Sequence, residues 1–187
     1  MVSRSTRLIN NLNHEKRRIF FALWPDDSIR QWLLLLLNEL NFDHNHGRVI
    51  PVANWHMTLH FIGNVSAQTL TCLQNVSISL SAEQFDLSID VSGYFKKPKL
   101  LWLGCSKIPA ALSQLHQQLA IQLSDCGFRP ETRGFTPHIS IVRKLFKQPL
   151  KTTIEPVHWH VNQFVLVESI TTRSGVKYKV LRSYPLI

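Results

Sequence analysis

The sequence predicts an α+β fold with mainly antiparallel strands, on three observations. Strand-period and helix-period segments are interspersed without the regular strand–helix alternation of a doubly wound parallel sheet. Phe85, Leu87, Ile89 and Val91 alternate with polar residues, the signature of a strand with one face in a core. A short strand-like pattern, His-x-Thr/Ser-x, occurs twice, at 56–59 and at 138–141. With 187 residues, 44% of them apolar and 18% charged, the chain is long enough to bury a sizeable core and too apolar for general disorder.

Residues 1–16 show no sustained periodicity and are expected to form a flexible basic N-terminal extension, leaving 17–187 as a single domain. The run Arg18 to Leu23 reads as a buried strand. Trp24-Pro25-Asp26-Asp27-Ser28 then supplies turn and helix-start chemistry for a helix over about 26–40. Val49–Val52 and Asn54–Ile62 read as extended segments closed by Gly63-Asn64, after which Ser66 can cap a helix running to about Leu80. The strand from Phe85 has its hairpin partner in Leu100–Cys105. Pro109 opens an amphipathic helix with Leu112, Leu115, Leu119 and Leu123 on one face, and Gly127 is placed to end it. Three further extended segments are expected near 137–143, 157–168 and 176–184.

Twenty-one Lys and Arg against 12 Asp and Glu give a net charge of +9, which favours polyanionic partners such as nucleic acid or phosphorylated ligands. Five of those basic residues against Glu15 lie within 1–18, so the excess is partly a property of the N-terminal segment. The three cysteines, Cys72, Cys105 and Cys126, lack the C-x-x-C spacing of zinc or redox motifs, and free thiols in a reducing cytoplasm are expected. Leu33–Leu37 is too short an apolar run to span a bilayer, and neither a signal peptide nor a membrane anchor is read.

The chemistry sits in the paired pattern. On a strand, residues i and i+2 share a face, so His56 and Thr58, and likewise His138 and Ser140, face one side while Met57, Leu59, Ile139 and Ile141 enter a core. Side by side, two such strands present two imidazoles and two hydroxyls to a space suited to one phosphate. A neutral imidazole can take a proton from water and a protonated one can give a proton to the departing ribose oxygen, while the hydroxyls donate to the non-bridging oxygens. An unperturbed pKa of about 6.5 makes both forms of histidine accessible near neutrality. One His-x-Thr match is an ordinary polar strand face more often than a site; two copies in matching settings reverse that balance.

These tetrads carry a resemblance to the 2H phosphoesterases, and within them to the bacterial and archaeal RNA 2′,3′-cyclic phosphodiesterases, also termed 2′-5′ RNA ligases. It extends over nearly all of 17–187 and includes Arg18-Ile19-Phe20-Phe21-Ala22, Asn54-Trp55, Leu101-Trp102-Leu103-Gly104 and Arg143. The resemblance implies a bilobal fold of two pseudo-symmetric lobes, with mainly antiparallel sheets flanking a central basic cleft and helices outside. It implies hydrolysis of an RNA or oligonucleotide end carrying a 2′,3′-cyclic phosphate to a 2′-phosphate, with the reverse 2′-5′ joining in some members. No metal or other cofactor, no membrane partner, a monomer and a cytoplasmic setting are expected. On this analogy His56 is the proton donor and His138 the acceptor, although a pseudo-symmetric site permits the reverse.

Around the pair, the resemblance makes Arg143 a phosphate ligand, on condition that a bend brings it to the face of His138. Of Phe20 and Phe21 one should be core, and Phe20 is the candidate to stack on a base. Trp55 reads as packing. By alternation His60 shares the face of His56, where it lines the cleft rim or touches RNA. His56/His60 and His158/His160 have spacings that could chelate, but no carboxylate or cysteine cluster accompanies them. The competing readings are a sibling phosphoesterase acting on another cyclic phosphate or on 2′-5′ oligonucleotides, and a non-catalytic RNA-binding module.

Overall fold

The computed structural model of the chain describes residues 16–40, 47–131, 133–146, 153–173 and 175–187. The expected N-terminal extension therefore lies, except for Lys16, outside the described residues. The first strand, β1 (Arg17–Leu23), is buried on both faces, which is why its sequence is a continuous apolar run rather than an alternation. Ile19, Phe21 and Leu23 join the main core, whereas Phe20 and Ala22 join a second, small cluster on the opposite face. Helix α1 (Asp27–Glu39) follows; the Asp26 carboxylate caps it by accepting from Ile29 N at 2.9 Å. Its buried side, Ile29, Leu33, Leu36 and Leu37, absorbs part of the leucine run.

After a two-residue strand β2 (Arg48–Val49) and a 3₁₀ turn at Val52–Asn54, β3 runs Met57–Val65 and continues through Gly63, whose φ of +87° suits the residue without a side chain. Val49–Val52 is thus only half extended, and Gly63-Asn64 does not close the strand as expected. Helix α2 (Ala67–Val76) is capped by Ser66 and ends in a 3₁₀ turn at Ser77–Ser79. Strands β4 (Phe85–Phe95) and β5 (Leu100–Gly104) form the expected hairpin. Helix α3 (Ala110–Ser124) buries Leu112, Leu115, Leu119 and Leu123 and stops before Gly127 at φ +80°.

Strand β6 (His138–Arg143) is followed by β7 (Thr153–Val161), β8 (Gln163–Thr172) and β9 (Gly175–Pro185). The single strand expected over 157–168 is two strands, divided at Asn162. The break has a physical reason visible in burial: Val157, Trp159 and Val161 alternate with exposed residues, whereas Phe164 to Val167 are buried in succession. The first pattern belongs to a strand with one covered face, beside β4; the second to a strand covered on both, beside β1.

The strand order is β7-β4-β5-β6-β3-β1-β8-β9, with β2 added to β6, and every pairing is antiparallel. Two four-stranded halves, β9-β8-β1-β3 and β6-β5-β4-β7, meet where β3 pairs β6 at Met57↔Ile139. This is the bilobal, antiparallel α+β arrangement. One apolar cluster runs through both halves and collects Leu33, Leu73 and Leu119 from the three helices. Among the described residues no helix is long and apolar enough to cross a membrane.

Helices α2 and α3 bring Cys72 and Cys126 together as a disulfide across 54 residues of sequence, so only Cys105 is free. The expectation of three free thiols is corrected. Spacing along the chain carries no signal for a pair made adjacent by helix packing.

Candidate active site

The two tetrads fall on the two central strands, β3 and β6, at the point where the lobes meet. Met57 and Ile139, the residues directly after the histidines, are the register partners that join the halves, and both are fully buried. Each histidine is therefore anchored by a neighbour that belongs to the inter-lobe seam. At the last residue of each tetrad the strand bulges. In β3 the register with β1 shifts so that Leu59 has no opposite residue, and in β6 the register with β5 shifts so that Ile141 has none. The two bulges change the parity of the side chains that follow in the same way: Leu59 and His60 are both buried, as are Ile141 and Val142. Arg143 consequently returns to the exposed side, where strict alternation would have sent it to the opposite face from His138.

The imidazoles are held alike. His56 Nδ1 lies 2.7 Å from the Asn54 carbonyl and His138 Nδ1 lies 2.8 Å from the Thr136 carbonyl. A carbonyl only accepts, so each Nδ1 carries its hydrogen, and Nε2 is left as the atom that exchanges a proton with substrate. Asn54 does a second job: its side-chain amide donates to the Val176 carbonyl of β9 at 2.9 Å, tying the residue that orients His56 to the far edge of its lobe.

Aromatic rings enclose both imidazoles. Around His56 stand Phe20 with ring centroids at 4.7 Å, Tyr178 edge-on at 5.1 Å and Trp24 stacked at 5.6 Å. Around His138 stand Phe95 at 5.1 Å and Trp102 at 6.1 Å. Trp102 lies against Gly93 so closely that a Cβ there would fall 2.1 Å from its ring, so the glycine makes room for this wall.

These surroundings set the charge of His56. Burial pulls its pKa from 6.5 down to about 4, the Asn54 carbonyl opposes the shift, and the positive fields of Arg143, His138 and Arg30 reinforce it. With a pKa that low, His56 is neutral at pH 7. The fold thus brings His138 and Arg143 within electrostatic reach of His56, together with Arg30, which the sequence does not suggest. Elsewhere on β3, burial lowers the pKa of His60, and burial followed by the field of His60 brings His116 of α3 down to about 4.

An acid-side loss of stability follows. A histidine with a depressed folded pKa binds its proton in the unfolded chain first, so stability is complete above pH 6.5 and falls as the pH drops toward 4. Melting temperature measured across that window should decline, and His116→Phe should make the decline shallower. An equal slope in the variant would show that His116 is not one of the groups responsible.

Several sequence expectations change. His60 does not share the face of His56; the bulge turns it inward to 5% exposure, where its Nε2 donates to the His116 carbonyl at 2.8 Å. Phe20 is 3% exposed and packs on His56 and Tyr178, so it shapes the imidazole's surroundings and has almost no surface to offer a base. Phe21 and Trp55 are fully buried, the latter donating its Nε1–H to the Ile50 carbonyl. Thr58 on β3 and Ser140 on β6 are half-buried. His160 bonds Asp86 and Gln84 at the outer edge of the sheet rather than pairing with His158. Trp24, Tyr178, Phe95 and Trp102 were missed as site residues. Tyr178 could not be found from sequence, since only the folding of β9 onto β8 brings it to His56.

The chain matches the family model for the 2′-5′ RNA ligase superfamily over residues 23–173, a span that contains both tetrads. It is 30% identical to the RNA 2′,3′-cyclic phosphodiesterase of Escherichia coli over 92% of this chain and 98% of that protein. The RNA 2′,3′-cyclic phosphodiesterase of Archaeoglobus fulgidus is 29% identical, over 89% of this chain and 99% of its own. Among solved structures, E. coli LigT in apo form superposes with a TM-score of 0.81 at 29% identity, covering 92% of this chain and 98% of LigT. LigT complexed with 3′-AMP also superposes with a TM-score of 0.81.

Proposed function

The chain belongs to the 2′-5′ RNA ligase superfamily, and from that premise we propose that it is an RNA 2′,3′-cyclic phosphodiesterase that converts a terminal 2′,3′-cyclic phosphate to a 2′-phosphate. The observation that carries the reading is the duplicated site: two histidines, each with Nδ1 fixed by the carbonyl two residues before it, on the two strands that join the lobes. A binding module would have no need to leave Nε2 of both rings equivalently poised. Both tetrads come from one chain, so the reading takes the monomer as the working unit.

In the proposed reaction His138 Nε2 accepts a proton from water as its oxygen attacks phosphorus, the bond from phosphorus to O3′ breaks, and His56 Nε2–H protonates O3′. The products are a 2′-phosphate and a free 3′ hydroxyl, with His138 now protonated and His56 neutral; exchange with solvent restores both. Thr58 and Ser140 hydroxyls donate to the non-bridging oxygens and the Arg143 guanidinium balances the growing charge. The depressed pKa of His56 fits this role once substrate is considered. The phosphate brings a negative charge between His56 and the cations that depress it, which favours the imidazolium, so the acid is armed by the ligand it serves. In the same direction, with a 5′ hydroxyl in place of water as the nucleophile that gives its proton to His138, P–O3′ again breaks with His56 protonating O3′, and the product is a 2′-5′ linkage.

The test is incubation of the purified chain, in chelator, with a short RNA ending in a 2′,3′-cyclic phosphate, and assignment of the phosphate position by ³¹P NMR. A 2′-phosphate is expected. A 3′-phosphate would mean that the other ester bond breaks, and an untouched end would favour a different cyclic phosphate or 2′-5′ oligonucleotides as substrate.

A further inference from the structure

We propose that His116 is a positioning residue for His138, acting through Phe135 and anchored on β3 by His60. The inference rests on the reading of His138 as a catalytic group and extends it to residues outside both tetrads.

The argument begins at the bulge in β3. Leu59 there lacks a register partner in β1, and His60, the residue after it, is turned inward. The His60 ring donates from Nε2 to the His116 carbonyl at 2.8 Å. This bond fastens α3 to the strand that carries Thr58 and begins directly after His56. Val142 occupies the equivalent bulge position of β6 and needs only packing; histidine at 60 adds a directional bond that an aliphatic side chain could not make.

From this anchor a column of rings leads to the other tetrad. The His116 ring lies 4.0 Å from His60 at 28° and 3.9 Å from Phe135 at 16°, centroid to centroid. A ring has two faces, and near-parallel neighbours at those separations require one each, so His116 is sandwiched between them. Phe135 immediately precedes Thr136, whose carbonyl receives the His138 Nδ1–H. The segment has no strand of its own to hold it: β6 begins only at His138. Its other restraint is β5, where a Cβ on Gly104 would come within 2.9 Å of the Pro137 carbonyl oxygen. The column thus holds the residue just before Thr136 while Gly104 of β5 lies against the Pro137 carbonyl just after it, and it ties the geometry of the second tetrad to the strand of the first. Neutral rings suit such a stack, and burial holds both histidines toward that form.

The experiment compares His116→Ala, which removes the ring from the column, with His116→Phe, which keeps a stacking ring. Turnover of the cyclic-phosphate RNA and the ¹⁵N signal of His138 Nδ1 are read in each. His116→Ala should lower kcat about tenfold with KM within about twofold, as a misaimed group costs rate rather than binding, and should displace the His138 Nδ1 signal. His116→Phe should restore both. Wild-type kcat in His116→Ala, or a loss of kcat with the His138 signal unmoved, overturns the proposal, the second because it would show general loosening only. Should His116→Ala fail to fold, Phe135→Leu on the half-buried segment asks the same question, and an unmoved His138 signal there is equally decisive. If the wild-type protein leaves this RNA untouched, the functional reading fails, whereas the His138 signal still tests the positioning role.

Discussion

Alanine at His56 or at His138 is expected to lower turnover by roughly 10²–10⁴-fold while leaving the fold and the affinity for the cyclic phosphate largely intact. The magnitude follows from what each ring supplies. Loss of a positioned proton carrier leaves the hydroxyls of Thr58 and Ser140 and the guanidinium of Arg143 to stabilise charge, which is why activity falls without vanishing. Stability should suffer little, because the seam between the lobes is made by Met57 and Ile139, not by the histidines themselves. The two variants become distinguishable with a substrate whose leaving O3′ is replaced by sulfur. A thiolate departs without an acid, so such a substrate should rescue His56→Ala and leave His138→Ala impaired. Rescue of His138→Ala instead would reverse the proton roles, and near-normal turnover of the ordinary RNA in either variant would remove that residue from the mechanism.

The chemistry of this site was legible in the sequence because it depends on short-range pattern: period two places His56 with Thr58 and His138 with Ser140, and apolar Met57 and Ile139 mark the buried side. Helix α3 was legible for the same kind of reason, its leucines recurring at helical spacing. What failed was extrapolation of alternation past the tetrads. Strict alternation puts His60 in the cleft and requires a bend for Arg143, and both are resolved by one extra residue at the end of each tetrad, Leu59 and Ile141, that no composition announces. The division of 157–168 into β7 and β8 is written in its pattern, where alternation gives way to a continuous apolar run, but the segment reads as one strand because the interruption is only Asn162. The aromatic walls were out of reach. Tyr178, Phe95 and Trp102 reach the imidazoles from strands whose sheet order, not whose sequence, makes them neighbours.

Removing the Cys72–Cys126 bond is expected to lower stability by about 2–4 kcal/mol, which for a chain of this size lowers the melting temperature by roughly 5–15 °C. The reasoning concerns the unfolded chain more than the folded one. The bond closes a loop of 54 residues that spans β4, β5 and all of α3, so it removes a large set of extended conformations from the unfolded ensemble. In the folded state α2 and α3 also meet through packing, with Leu70, Leu73, Leu119 and Leu123 all in the shared core, so the helices should stay in place when the bond is gone. Neither cysteine is among the groups that bond or stack with His56 or His138, and kcat at 25 °C should remain within about twofold of the intact protein on that account. Thermal melts of the oxidised protein, of the same protein in reductant and of Cys72→Ala/Cys126→Ala should place the second and third together, below the first. A melt insensitive to reductant, with all three cysteines found as free thiols before treatment, would mean that the bond does not form in solution; a large loss of kcat in the double variant would mean that the helix pair transmits strain to the tetrads, as Phe128, two residues beyond Cys126 and edge-on to His60, provides a route for it to do.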